Sequence, residues 1–134
     1  MNVFISYSDA DAVLARELAD VLEHEGFEVW RPEQDVMPGD NWAAQLAQAL
    51  ESSSAMVVLL TRSSVESRAV KHEIEYGLAN RRFKGRLVPV LIGQPDKWRA
   101  SFPWILRRLK MVRLPSRNPS RHFQKIADAL KAAA

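Results

Sequence analysis

Ala55–Leu60 reads AMVVLL, six apolar residues with no polar break. A strand with one wet face alternates apolar and polar residues. A strand covered on both faces does not, and such runs belong to parallel sheets wrapped by helices. The flanks agree. Upstream, Trp42, Leu46, Ala49 and Leu50 recur at helical spacing as an inner face, with Asp40 or Asn41 as the cap and Ser52-Ser53-Ser54 as the break. Downstream, the polar loop Thr61-Arg62-Ser63-Ser64 leads into a second helical stretch, Ser67–Ala79, SRAVKHEIEYGLA. At about 100° per residue, Val70, Ile74, Gly77, Leu78 and Arg81 fall near one line and define the expected core stripe. Glu75 lies about 140° from Val70 on that wheel and is expected in solvent, whereas Glu73 lies about 60° away. The pattern therefore places Glu73 on the shoulder of the stripe, beside Ala69 and Asn80, half desolvated and facing the edge of the sheet.

The outer segments repeat the alternation. Asn2–Tyr7, NVFISY, is a short β-rich run expected inside the sheet, and Ser8 follows as a candidate helix cap. Leu14, Leu18, Val21 and Leu22 form a helical stripe that closes at Gly26. Phe27–Arg31 is a second strand, and the polar loop Pro32–Asp40 carries two prolines and a glycine. Arg86–Ile92 is a fourth strand, although Pro89 inside it removes a ladder donor, so a local irregularity or an unpaired N–H side is expected there. Trp98, Phe102, Trp104, Ile105 and Leu109 suggest a short helix or turns, Lys110–Leu114 a fifth strand, and Phe123, Ile126, Ala127 and Leu130 a last helix. The result is a β-α repeat with short connections: an α/β fold, a flavodoxin-like five-stranded parallel sheet with helices on both faces. Ligands in such sheets bind at the carboxyl ends of the strands, where the strand order reverses. Three polar loops meet that edge: Tyr7–Asp11, Pro32–Asp40 and Thr61–Glu66.

Composition narrows the classes. The chain has 134 residues, enough for one core, and its 47% hydrophobic and 26% charged residues are ordinary for a globular domain. The Ala-rich end carries no closing signal, so residues 1–134 are expected to be one domain, open to being part of a longer protein. The net charge of +3 gathers late, in Arg81, Arg82, Lys84 and Arg86 and in Arg107, Arg108, Lys110 and Arg113, with few aromatics interleaved. That pattern favours a solvated basic face over a nucleic-acid surface. There are no cysteines, which excludes disulfides and thiolate metal sites and fits a cytoplasmic protein. No apolar run has transmembrane length and no basic, hydrophobic signal opens the chain, so no membrane partner is expected.

Several chemistries are poorly supported. A receiver domain needs a phosphoacceptor Asp at the end of the third strand, where this chain has Thr61. A dinucleotide fold needs G-x-G-x-x-G after the first strand, where it has Ser6-Tyr7-Ser8. The three histidines, His24, His72 and His122, fall on outer helix positions without metal spacing, so no metal is expected.

Four segments in one order carry a family resemblance: FISYSDAD at 4–11, VWRPEQDVMPGDNW at 29–42, AMVVLLTRSSVES at 55–67 and VKHEIEYGLA at 70–79. Together they resemble the Toll/interleukin-1 receptor (TIR) domain in its bacterial form, across residues 2–133. Pro32–Asp40, with Pro38-Gly39, resembles the family's BB loop. The resemblance implies an NAD+-cleaving enzyme whose catalytic glutamate closes a W-x-x-x-E pattern. Here that pattern is Ala69-Val70-Lys71-His72-Glu73, so Glu73 takes the catalytic role and Ala69 the tryptophan's place. An aromatic wall is thereby lost unless another aromatic supplies it. The family's acid after the second strand is also absent, with Pro32 following Trp30-Arg31, and Asp9 stands where a basic residue is frequent.

On this resemblance Ser6, Tyr7, Ser8, Pro38, Gly39, Trp42 and Ala69 are the expected substrate-binding set. NAD+ is substrate rather than cofactor, and no cofactor is expected. The implied partners are other TIR domains by self-assembly and a sensor or effector domain on the same or another chain. The implied setting is cytoplasmic bacterial antiphage or stress signalling. Three alternatives stay open: a non-catalytic TIR module that signals by self-association, a nucleoside or nucleotide transferase of related fold, and a virulence factor that mimics host TIR domains.

Overall fold

A computed structural model describes residues 1–32, 37–93 and 102–133. Five strands, β1 (Asn2–Ser6), β2 (Glu28–Val29), β3 (Ala55–Leu60), β4 (Leu87–Ile92) and β5 (Val112–Leu114), form one parallel sheet in the order β2-β1-β3-β4-β5. Among the described residues four α-helices accompany them: α1 (Ala12–His24), α2 (Trp42–Ser52), α3 (Arg68–Ala79) and α4 (Gln124–Ala133). The order reverses between β1 and β3, which makes the carboxyl ends of those two strands the switch point of the sheet.

The six residues of AMVVLL are all buried. Their alternation assigns them to two apolar layers. Val3, Ile5, Val57, Leu59, Val88 and Val90 pack with Leu18 and Leu22 of α1 and Ile126 and Leu130 of α4. Phe4, Met56, Val58, Leu60, Leu87 and Leu91 pack with Leu50 of α2 and Val70 and Ile74 of α3. Ser6 shares the parity of Phe4, so the last residue of β1 points toward α3.

Pro89 fits because of register. The Arg86 carbonyl accepts from Met56 in β3, so alternate residues of β4 turn toward β3 and Pro89 turns toward β5. The β4–β5 ladder begins only at Val90–Val112, so no donor is missed there.

Several expectations change. β2 is two residues rather than five, because the chain leaves the edge strand before Trp30 and Arg31. Arg31 is buried and bonds Asp20 (2.7 Å) and Glu23 (2.9 Å), tying the end of this short strand to α1. Ser8 does not cap a helix; its hydroxyl donates to Asp11 at 2.8 Å, and the same carboxylate oxygen accepts from Thr61 at 2.6 Å. Trp42, expected on the inner face of α2, is 51% exposed. The α2 cap is Asn41, whose side chain accepts from Ala44. Arg82 is half-buried rather than freely solvated: it donates to the carbonyls of Leu50 and Ser53 at the end of α2 and lies over the rings of Tyr76 and Phe83. Trp104 and Ile105 sit in a 3-10 helix, Trp104–Arg108. Trp98 lies outside the described residues.

Candidate active site

The α3 stripe is rotated from the expected one. Val70, Glu73, Ile74 and Gly77 face the sheet, while Leu78 is 39% exposed and Arg81 lies outside. Gly77 explains the rotation. A Cβ there would stand 2.6 Å from Leu87 Cδ1 and 3.1 Å from Met56 Sδ, so at this turn backbone rests directly on the sheet. One turn earlier, that close approach carries Glu73 inward. It is 9% exposed, a core position and not a shoulder.

The carboxylate meets one hydrogen-bond donor of matching parity. The Ser6 hydroxyl, itself fully buried, donates to Glu73 Oε1 at 2.6 Å. Burial pushes the Glu73 carboxyl up to about 7, and the Ser6 hydrogen bond opposes that rise. Glu73 can therefore exchange a proton near neutrality, a property that clusters at functional sites.

Glu73 opens into a cleft of about 120 Å³, smaller than the roughly 300–1,000 Å³ of drug-sized ligand sites. Its wall includes Tyr7, Trp30, Pro32, Trp42 and Ala69, with Asp9 as a second carboxylate. Phe4, Trp30 and Trp42 form an aromatic column: Phe4 and Trp30 stack with centroids 5.9 Å apart, and Trp30 and Trp42 tilt at 5.7 Å. The wall thus combines aromatic surface from Trp30 and Trp42 with small Ala69.

The cleft gathers Tyr7, Trp42, Ala69 and Glu73 from the expected set, with Ser6 behind Glu73. It does not gather Ser8, whose hydroxyl is committed to Asp11. Pro38 and Gly39 are exposed and are not among the described residues of its wall. Sequence reasoning missed Trp30, read as a strand residue, and also Asp9 and Pro32 as wall residues. For Asp9 the available signal was position, two residues beyond Tyr7; for Trp30, read inside the run Phe27–Arg31, there was none, because β2 stops at Val29. Among the described residues no group of three metal-ligating side chains occurs. No described helix is long and apolar enough to cross a membrane.

The fold and this cleft define an open parallel-sheet domain with its site at the strand ends. A TIR domain family model matches residues 3–132, and the chain belongs to that family. It is 32% identical over 95 residues to the stimulator of interferon genes protein of Magallana gigas, covering 69% of this chain and 23% of that protein. It is 29% identical over 88 residues to the 2' cyclic ADP-D-ribose synthase BtTIR of Bacteroides thetaiotaomicron, covering 65% and 30%. A metazoan TIR-STING receptor from C. gigas, solved in complex with 2',3'-cGAMP, superposes with a TM-score of 0.77 and 29% identity, over 96% of this chain and 38% of that one. The chain spans less than a third of the length of either curated relative.

Proposed function

We propose that this TIR domain cleaves the bond between nicotinamide and ribose in NAD+, with Glu73 as the catalytic residue. The observation that carries the reading is a single buried carboxylate, held by Ser6, at the base of an aromatic cleft. Nicotinamide leaves a cationic donor as a neutral base, so no general acid is required, unlike glycoside hydrolysis with two carboxyl groups. One anion beside the ribose suffices to bind its hydroxyls and to stabilise developing oxocarbenium charge. In its ionised form Glu73 supplies that anion, and a bound pyridinium favours ionisation. Tyr7, Trp30 and Trp42 offer surfaces for the base and the ribose. Water attack gives ADP-ribose; attack from within the adenosine half gives a cyclic isomer. The relative named as a cyclic ADP-ribose synthase supports this assignment of chemistry. Self-assembly with other TIR domains, a sensor or effector domain on the same or another chain, and cytoplasmic bacterial antiphage or stress signalling complete the proposal.

A second reading, a non-catalytic module that signals by self-association, is favoured by Ala69 in the tryptophan's place and by Pro32 in the acid's. The two separate in one assay. Nicotinamide release from NAD+ is measured at high protein concentration, wild type against Glu73→Ala, with the products resolved by chromatography. Release that disappears in a folded variant supports catalysis at Glu73. Absence of release from wild type, with crowding agents present, overturns it in favour of the module.

A further inference from the structure

At about 120 Å³ the cleft leaves most of a dinucleotide outside it. The remainder must lie on adjoining surface, and a second hollow offers that surface. It shares Ile5, Tyr7, Trp30 and Pro32 with the cleft, so the two adjoin across the ends of β1 and β2. It is shallow, about 10 Å³, and Ala15, Arg16 and Ala19 of α1 line its far side.

Charge separates the two hollows. The described wall of the cleft carries Glu73 and exposed Asp9 and no Lys or Arg. The described wall of its neighbour carries no acid and two cations, Arg16 and Arg31. Arg31 is buried and already bonded to Asp20 and Glu23. Arg16 is exposed, and among the described residues its guanidinium has no ion pair or side-chain hydrogen bond. Asp20, one helical turn further on, is turned to Arg31 instead. These two arginines are all the Lys and Arg of the first 51 residues, a stretch that holds 11 of the 16 acids. A cation left unpaired in so acidic a stretch is open to an anion from outside.

We infer that Arg16 receives the diphosphate of the donor and is a specificity-determining residue of this site. The pyridinium and its ribose enter the cleft toward Glu73, where aromatic faces attract a flat cation. The diphosphate, opposed by Asp9 and Glu73, stays outside and crosses Tyr7 and Pro32 to α1. A guanidinium presents a planar fork of donors that matches phosphate oxygens. The hollow is too shallow to exclude water, so the contact there is solvated and its strength is that of a surface charge pair. Arg16 acts on which donor binds and takes no part in breaking the glycosidic bond. The inference rests on glycosidic cleavage at Glu73 and adds the residue that selects a phosphate-bearing donor.

The test compares kcat/KM for nicotinamide release from NAD+ and from nicotinamide riboside, which lacks phosphate. The proteins are wild type, Arg16→Ala, Arg16→Lys and Arg68→Ala. Arg68 is the control: it is exposed beside Ala69 on α3 and is not among the described residues of either hollow. The attraction of two unit charges about 4 Å apart in water corresponds to about a fivefold change in binding. Arg16→Ala should therefore lower the ratio of NAD+ to riboside about fivefold at low salt. Arg16→Lys should restore part of it, keeping the charge without the fork. Added salt should lower the ratio in wild type. A ratio that Arg16→Ala leaves unchanged, or that Arg68→Ala lowers equally, overturns the inference while leaving cleavage at Glu73 intact. Calorimetric binding of NAD+ and of the riboside covers the case without turnover. NAD+ binding that weakens relative to the riboside in Arg16→Ala upholds the assignment although catalysis fails. Equal NAD+ binding by wild type and Arg16→Ala, or none by either, overturns it whatever the turnover.

Discussion

Glu73 stores a conflict between folding and chemistry that pH can expose. Its carboxyl titrates near 4.5 when unfolded and at about 7 in the folded domain. Between these values the native state holds more protons than the unfolded chain, so stability is highest below about 4.5 and falls as pH rises through about 7. The difference is worth about 3 kcal/mol at about 1.4 kcal/mol per pKa unit. Glu73→Gln keeps the shape and an oxygen for Ser6 but cannot ionise. Urea unfolding should show the variant more stable than wild type at pH 8 by up to that amount, with the advantage vanishing in acid. Catalysis should show the opposite preference. In kcat/KM against pH, which reports the free enzyme, activity should rise through a limb near 7. Ser6→Ala, which removes the bond opposing the rise, should move that limb to higher pH. None of this was legible in the helical wheel alone, because the partner that completes Glu73 lies 67 residues away. Ser8 misled for the same reason. A local cap is the default for a serine before a helix, and here a contact involving Thr61, fifty residues from Asp11, took precedence.

Among the elements, α3 is the one whose placement decides the site. The sequence identified the helix within a residue at either end, including Ser67, whose side chain accepts from Val70 as its cap. It did not identify the face, because Leu78 drew the stripe one way while the missing side chain at Gly77 let the helix settle the other way. Gly77→Ala tests that account. The added methyl needs space held by Leu87 and Met56, an overpacking cost of about 1–3 kcal/mol set against a gain in helix propensity of about 1 kcal/mol. The expected outcome is a net loss of about 1 kcal/mol by urea unfolding. NMR titration should also show a lower Glu73 pKa, as the lifted helix readmits water. The strands were more legible than the helix face. AMVVLL is buried at every position because both of its sides face apolar layers, and that property needs no knowledge of a distant partner. Trp30 was not legible as cleft wall, since a β-rich run at a sheet edge does not reveal where pairing stops.

At the scale of the whole molecule, strand order and charge order coincide. The acidic first part of the chain builds β2, β1 and α1 toward one edge, and the basic remainder builds β4, β5 and α4 toward the other. Opposite edges of opposite sign favour contact between copies, and the proposed self-assembly makes this measurable. Turnover per molecule should rise with protein concentration and decline with added salt. Strict proportionality from dilute solution upward would count against assembly. The alternation of elements was enough to derive the sheet and its switch point, whereas the coincidence of charge with strand position emerged only once the order β2-β1-β3-β4-β5 was known.

Separated charge of this kind makes the domain an electric dipole lying across its strands. A donor with a pyridinium at one end and a diphosphate at the other is a dipole as well, and two dipoles exert torque on each other before they touch. Within about a Debye length, roughly 10 Å at 0.1 M salt, the field of the acidic edge would swing the pyridinium of the proposed donor inward and its phosphates outward. Productive orientation of the proposed donor would thus be partly settled during approach, by a property of the whole chain that no single residue in the cleft possesses.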